Sequence, residues 1–417
     1  MAGDQHEDGW GATFTEQALD VTTVVSGGPD QVMALLAAEE GPASRLLRQV
    51  YTRVMHYARH CDLQQRRQVL ALEAARAGAS RLAHDLDEVA LPTDSAARWK
   101  VRWATGAVSA PFGGVTAASS GVLSALATAV VAGRPVVLAA DRDGGVRVWD
   151  LGTGTPAAPA LLGHDGWVNA VATAVVAGRG IAVTGGGDTT VRRWDLATGT
   201  PIGEPLTGHA TQVYAVTTEV VEGRPVAVST GSDAIVRMWD LTTGAPAAAP
   251  LRVHEGWVSA MATVVTRGRL IAIVAAGDHT VRAWDLSAGA PIGRPVQIHT
   301  AVVCTAAAAV AGGRPVAVTG SDDYTARMWD LSTGMPIGEP LTGHTDLVRA
   351  VSLGTIGGRA VAITGSDDCT VRMWDVGTGE QIGPELLFFA AVEALATAAG
   401  QRLVVGCGRH AVMLAHC

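Results

Sequence analysis

The sequence predicts an all-β repeat protein with a short helical segment ahead of it, and three observations predict it. Trp-Asp pairs begin at Trp149, Trp194, Trp239, Trp284, Trp329 and Trp374, each 45 residues after the last. Six residues before every one of these tryptophans stands an aspartate: Asp143, Asp188, Asp233, Asp278, Asp323 and Asp368. Thirty residues before five of them stands a histidine: His164, His209, His254, His299 and His344. A fixed period of this size means tandem copies of one supersecondary unit.

Composition places the strands within a copy. Val168 to Val176 is apolar on both faces and rich in alanine, which suits an innermost strand a covered on both sides. A Gly-Arg turn follows, as at Gly178, Gly223 and Gly313, then a short strand b such as Val316 to Thr319. Strand c is Ala326 to Asp330. The last segment, for example Thr200 to Thr207, carries two prolines and reads as an outer edge strand d. Units a-b-c begin near residues 122, 168, 213, 258, 303, 348 and 391, so seven are expected, with a strand d after the first six only. The strand-like piece at 98–104 is expected to pair with the last unit and remove its exposed edge. In that unit Ala415 and His416 stand where Trp-Asp belongs.

Gly208 and His209 opening a copy that Trp239 and Asp240 close, and Gly343 and His344 with Trp374 and Asp375, resemble the WD40-repeat family. The resemblance covers roughly residues 98–417 and implies a seven-bladed β-propeller, each repeat giving one four-stranded blade. A narrower resemblance is to actinobacterial WD40 proteins with a helical segment and a W-x-x-x-W-A junction, here Trp99 and Trp103. Several of those carry an NTPase domain before the helices; this sequence shows none, so an ATP-driven role is not carried over.

Ahead of the repeats, residues 1–28 are Gly- and Thr-rich and read as poorly ordered, and 29–97 as a helical segment. Pro42 opens one helix, with Leu46, Val50, Val54 and Tyr57 on one face. Asp62 reads as the N-cap of a helix from Leu63 to about Ala77, ended by Gly78. A shorter helix from Ser80 to Asp87 and a linker from Leu91 follow. Such short helices must pack on one another, on the repeats or on a second chain.

A formal charge of −8 without a basic run argues against a nucleic-acid platform. Lys100 is the sole lysine and has no glycine context, which excludes a G-x-x-x-x-G-K-[ST] phosphate loop. Five cysteines without C-x-x-C fit reduced thiols. The acidic first residues are unlike a signal peptide, and no apolar run reaches the ~18 residues of a membrane span. A cytoplasmic protein without cofactor is the expectation; its oligomeric state is left open.

His164, Thr184, Asp188 and Trp194 recur as His209, Ser229, Asp233 and Trp239, as His299, Thr319, Asp323 and Trp329, and as His344, Thr364, Asp368 and Trp374. A hydroxyl, a histidine and an aspartate invite a hydrolase reading, yet no nucleophile turn of the form G-x-S-x-G accompanies them. The family resemblance implies instead a buried hydrogen-bond chain. The fourth unit has Val274 at the hydroxyl position, leaving His254, Asp278 and Trp284. The first has Ser119 and Ala139 in place of histidine and threonine. An arginine two residues before each tryptophan, Arg147 to Arg372, reads either as a stem covering the next strand or as an anion ring. His56, His60 and Cys61 have zinc-like spacing but lack further ligands.

Function is expected where loops break the repeat. Trp167, Trp257 and Leu347 follow the Gly-His positions on the d-to-a loops, the face on which WD40 proteins commonly bind partners. The two tryptophans either tuck against strand a or stand on the rim as binding residues. Arg142, Asp322, Tyr324 and Asp367, on the b-to-c turns of the same face, would add a charged rim. The expected function is non-catalytic: a scaffold for a protein or peptide. Two alternatives are a regulatory subunit acting with a separate NTPase or protease, and an enzyme with its site in the central channel. A channel rich in polar residues foreign to the repeat would favour the enzyme, and a Trp-bearing loop face the binder.

Overall fold

The computed structural model describes residues 21–38, 42–58, 62–77, 79–91, 99–104, 121–399 and 401–416. Residues 1–20, Gly78, the linker after Leu91, Ser119, His60 and Cys61, and the side chains of His56 and Trp103, lie outside what is described. The chain divides into two compact units, Met1–Val115 with Leu414–Cys417, and Thr116–Met413.

Among the described residues of the first unit five helices run in order: α1 Val21–Ser26, α2 Pro29–Ala38, α3 Pro42–Ala58, α4 Leu63–Arg76 and α5 Ser80–Asp87. Helix α1 corrects the expectation of disorder through residue 28. Its β-branched Val and Thr are poor helix formers. It forms because Val24 and Val25 are fully buried and Arg66 of α4 donates to the carbonyl of Gly27, 2.7 Å, just beyond its end. Helix α4 begins as its sequence dictates. The Asp62 carboxylate accepts from the Gln65 amide at 2.8 Å, and the Gln65 side chain accepts from the Asp62 amide at 3.1 Å. That reciprocal pair is a capping box. Buried Glu73 accepts from Arg53 at 2.9 Å and from Arg76 at 2.8 Å, so the charge enters the helical core paired. The helices pack on one another and on the strand Trp99–Ala104, whose Val101 amide donates to the Asp87 carboxylate at 2.6 Å.

Seven antiparallel sheets follow the repeat, with innermost strands Leu123–Val131, Val168–Val176, Val213–Val221, Val258–Thr266, Val303–Ala311, Val348–Ile356 and Val392–Ala398. The fifth blade shows the plan: Val303–Ala311, Arg314–Ser321, Ala326–Asp330 and Met335–Leu341, in that order across the sheet. Strand b is eight residues, longer than the four expected, because the Gly-Arg turn itself continues the ladder from Arg314 opposite Ala311. In the second blade the proline-bearing segment 200–207 is not a strand. It meets strand c through the bridges Val191 to Leu206 and Trp194 to Pro201, although the same Pro-Ile-Gly-Glu-Pro-Leu run lies within the strand Met335–Leu341 of the fifth blade, so the difference is not in the segment's own sequence. The seventh sheet has the order Trp99–Ala104, His410–His416, Arg402–Cys407, Val392–Ala398, so the strand before the repeats is its outer strand. The fold is a seven-bladed β-propeller closed by an N-terminal strand, preceded by a short helical segment.

Buried clusters lie between adjacent blades. Val136 and Leu138 of the first blade pack with Trp194 and Leu196 of the second, and Ile271 and Ile273 of the fourth with Trp329 and Leu331 of the fifth. Threonines stitch the inner strands further. Thr173 donates to the Thr128 carbonyl at 2.7 Å, Thr218 to that of Thr173 at 2.6 Å, and Thr128 to that of Thr397 at 3.1 Å. No helix among the described residues is long and apolar enough to cross a membrane.

Candidate functional site

Every blade carries one irregularity at the same place. Pairing between strands a and b skips the second residue of strand a: the register shifts between Val168 and Ala170, between Val303 and Thr305, and between Val348 and Ala350. A bulge of this kind bends the strand and re-aims the skipped side chain. The seven skipped residues are Ser124, Asn169, Tyr214, Ser259, Cys304, Arg349 and Glu393. Together they line one cavity of about 230 Å³, floored by Leu126, Val171, Val216, Met261, Val351 and Leu395. This is the mouth of the central channel. None of the seven was singled out above, although a sequence signal exists: each is the variable residue in a Val-x-Ala-like opening of strand a.

Most of the polar groups in this ring bond to neighbouring protein. Ser124 donates to the Val168 carbonyl, Asn169 to that of Val213 at 3.1 Å, and Ser259 to that of Ala275 at 3.2 Å. The Cys304 thiol donates to Asp322 at 2.8 Å; burial, then that carboxylate, push it up to about 12. Arg349 bonds Asp367 at 3.1 Å and lies 3.6 Å from Asp322. Glu393, half-buried and raised by that burial, has Arg142 at 3.8 Å.

The loops around the mouth are tied to one another. The amides of Gly187, Gly277, Asp322 and Asp367 on the b-to-c turns donate to the carbonyls of Trp167, Trp257, Val302 and Leu347 at 2.8–3.0 Å. The d-to-a loops and the b-to-c turns therefore share one face. Trp167 is 54% exposed and Trp257 44%, so both rings stand on the rim. The Arg142 guanidinium lies 5.5 Å from the Trp167 ring centroid. Trp257 is laid over Gly277, where a Cβ would come within 2.0 Å of the indole. Tyr214 and Tyr324 are also exposed, and Leu347 is half-buried. The structure thus gathers Arg142, Trp167, Trp257, Asp322, Tyr324, Leu347 and Asp367 on one face and adds the seven bulged residues.

Away from the mouth, four blades hold the repeated side-chain set in one geometry. His164 Nδ1 lies 2.9 Å from Asp188, its Nε2 2.7 Å from Thr184 Oγ1, and the Trp194 indole N–H donates to the same hydroxyl at 2.9 Å. Because the indole only donates, the threonine donates its own proton to Nε2, and Nδ1–H donates to the aspartate. The chain needs a neutral imidazole. His209 with Asp233, Ser229 and Trp239 repeats it at 3.0, 2.8 and 2.8 Å. His299 with Asp323, Thr319 and Trp329 gives 2.9, 2.9 and 2.8 Å. His344 with Asp368, Thr364 and Trp374 gives 2.9, 2.8 and 3.0 Å.

In the fourth blade the expected remnant is rearranged. With Val274 at the hydroxyl position, His254 Nε2 turns to Thr280 Oγ1 at 2.7 Å, and Asp278 lies 3.7 Å away with a 52% exposed side chain. The Trp284 indole N–H is buried without a partner. The arginines two residues before each tryptophan do not line the channel mouth. Arg237 instead lies against Gly208, whose φ of +146° and 3.3 Å spacing leave no room for a side chain. Among the described residues no cluster of three His, Cys, Asp or Glu side chains is placed to hold a metal ion.

Residues 158–195 and 334–375 match the family model for WD40, described as WD domain, G-beta repeat. None of the curated proteins compared with the chain matches it. Each matched stretch runs from the outer strand of one blade through the next blade's first three strands and contains one full hydrogen-bond set, so the seven-bladed propeller carries WD40 repeats at these two places.

Proposed function

We propose that the chain is a non-catalytic scaffold that binds a protein or peptide on its loop face, around the channel mouth. The observation that carries this reading is the exposure of Trp167 and Trp257 on that rim, 54% and 44%. Folding alone gives no reason to leave two indoles in water, whereas tryptophan at an interface supplies binding energy out of proportion to its number. WD40 propellers commonly serve as such scaffolds, which agrees with it. The mouth does hold polar residues foreign to the repeat, the feature that would favour an enzyme. Against a catalytic role, Ser124, Asn169, Ser259, Cys304 and Arg349 are each bonded to protein, and the Cys304 thiol is held protonated. A poised nucleophile needs the opposite shift. The repeated Ser/Thr-His-Asp sets are buried and closed by tryptophan, which supports a structural role for them.

Affinity capture from the source cells tests the reading, comparing wild type with a folded Trp167→Ala/Trp257→Ala variant. A partner captured by wild type and lost from the variant is the expected result. A partner retained by the variant would move the binding site off this face.

A further inference from the structure

We propose that the channel mouth recognises a cationic side chain, arginine or lysine, carried by the partner; this deepens the loop-face reading and rests on it. Among the described residues the exposed aromatic side chains are Trp167, Tyr214, Trp257 and Tyr324, and all four lie on this one face, in consecutive blades two to five. Aromatic faces attract cations through their quadrupole. Charge points the same way. Beside the aspartates of the hydrogen-bond sets and the arginines that lie against the same loops, such as Arg192 at 3.6 Å from Asp188, the face carries Asp165, Glu255, Asp322, Asp346, Asp367 and Glu393, against Arg142, Arg349 and Arg409. Arg349 is committed to Asp367 and Asp322, so it offers little to an incoming anion.

The protein already contains the arrangement it would offer. Arg142 rests 5.5 Å above the Trp167 ring and 3.8 Å from the half-buried Glu393, and its side chain is 45% exposed. Among the described residues no hydrogen bond fixes that side chain, so an incoming guanidinium or ammonium can take over both the ring face and the carboxylate. A cavity of about 230 Å³ admits one side chain rather than a folded element. Arg142 then acts as an internal competitor.

The test is an array of random heptapeptides probed with the full chain, in wild type and in variants that melt as wild type does. Bound peptides should be enriched in arginine and lysine. Trp167→Ala/Trp257→Ala should weaken their binding by roughly tenfold or more, and Glu393→Gln by about 3- to 10-fold. Arg142→Ala should strengthen it, because the competitor is gone; weakening would overturn the proposal. Peptides without basic residues that bind wild type and are lost from the double variant would overturn the cation preference and leave the loop-face reading standing. Binding that survives the double variant, or no binding at all, would overturn both.

Discussion

Thr319 shows how much a single hydroxyl carries. It accepts from the Trp329 indole and donates to His299, so Thr319→Val leaves both partners buried and unpaired, a loss of roughly 1–3 kcal/mol in a denaturant melt. Trp329→Ala removes a buried ring and should cost about 3–5 kcal/mol, whereas Trp167→Ala, at an exposed position, should leave the melting temperature nearly unchanged. A large drop for Trp167→Ala would place that ring in the fold rather than in a binding site. The same sets make the protein acid-sensitive. Burial first, and against the pull of Asp188 and Asp233, holds His164 and His209 below the ordinary 6.5. The unfolded chain therefore takes up protons before the folded one, and stability falls as pH drops through that value. Burial alone would raise Asp323 and Asp368, but hydrogen bonds from His299 and His344 hold them well below the ordinary 3.8, adding a second loss in stronger acid. Half-buried Glu219 and Glu393 are raised from 4.5 by that partial burial and act in the opposite sense, their contribution falling as pH rises. Melting temperature should thus be lower at about pH 5.5 than at about pH 7.5.

At the scale of elements, the repeat made the blades readable. The seven inner strands begin within a residue or so of the expected positions, since a valine-rich opening and a Gly-Arg turn recur in each copy. What escaped the sequence were the places where tertiary contacts decide. Helix α1 lacks propensity and is held by burial; segment 200–207 shares its Pro-Ile-Gly-Glu-Pro-Leu run with the strand Met335–Leu341 and yet keeps only bridges to its neighbour. The bulge in strand a also escaped, because Ser124 to Glu393 share only the variable position of a Val-x-Ala-like opening and no chemistry. That one hidden feature sets the composition of the mouth, whereas the rim tryptophans stood out as departures from the repeat. The strand Trp99–Ala104 gives a direct test of closure. It borders His410–His416, so a chain beginning at residue 121 leaves that strand as a bare edge. Light scattering should show the truncated chain aggregating where the full chain does not. A truncated chain as stable and monodisperse as the full one would mean the strand contributes nothing to the seventh blade.

For the whole molecule, two opposite faces follow from the propeller. One carries the a-to-b hairpins and the c-to-d turns, where Asp195, Asp285 and Asp330 each accept from an arginine and cap their turn. The other carries the aromatic rim and the mouth. Hydrogen–deuterium exchange on the full chain, free and bound to a captured partner, tells the two faces apart most directly. Protection should appear in the d-to-a loops around Trp167 and Trp257 and in the b-to-c turns around Arg142 and Tyr324. Protection confined to the a-to-b hairpins at 132–134, 177–179 and 222–224 would contradict the account and put the partner on the other face.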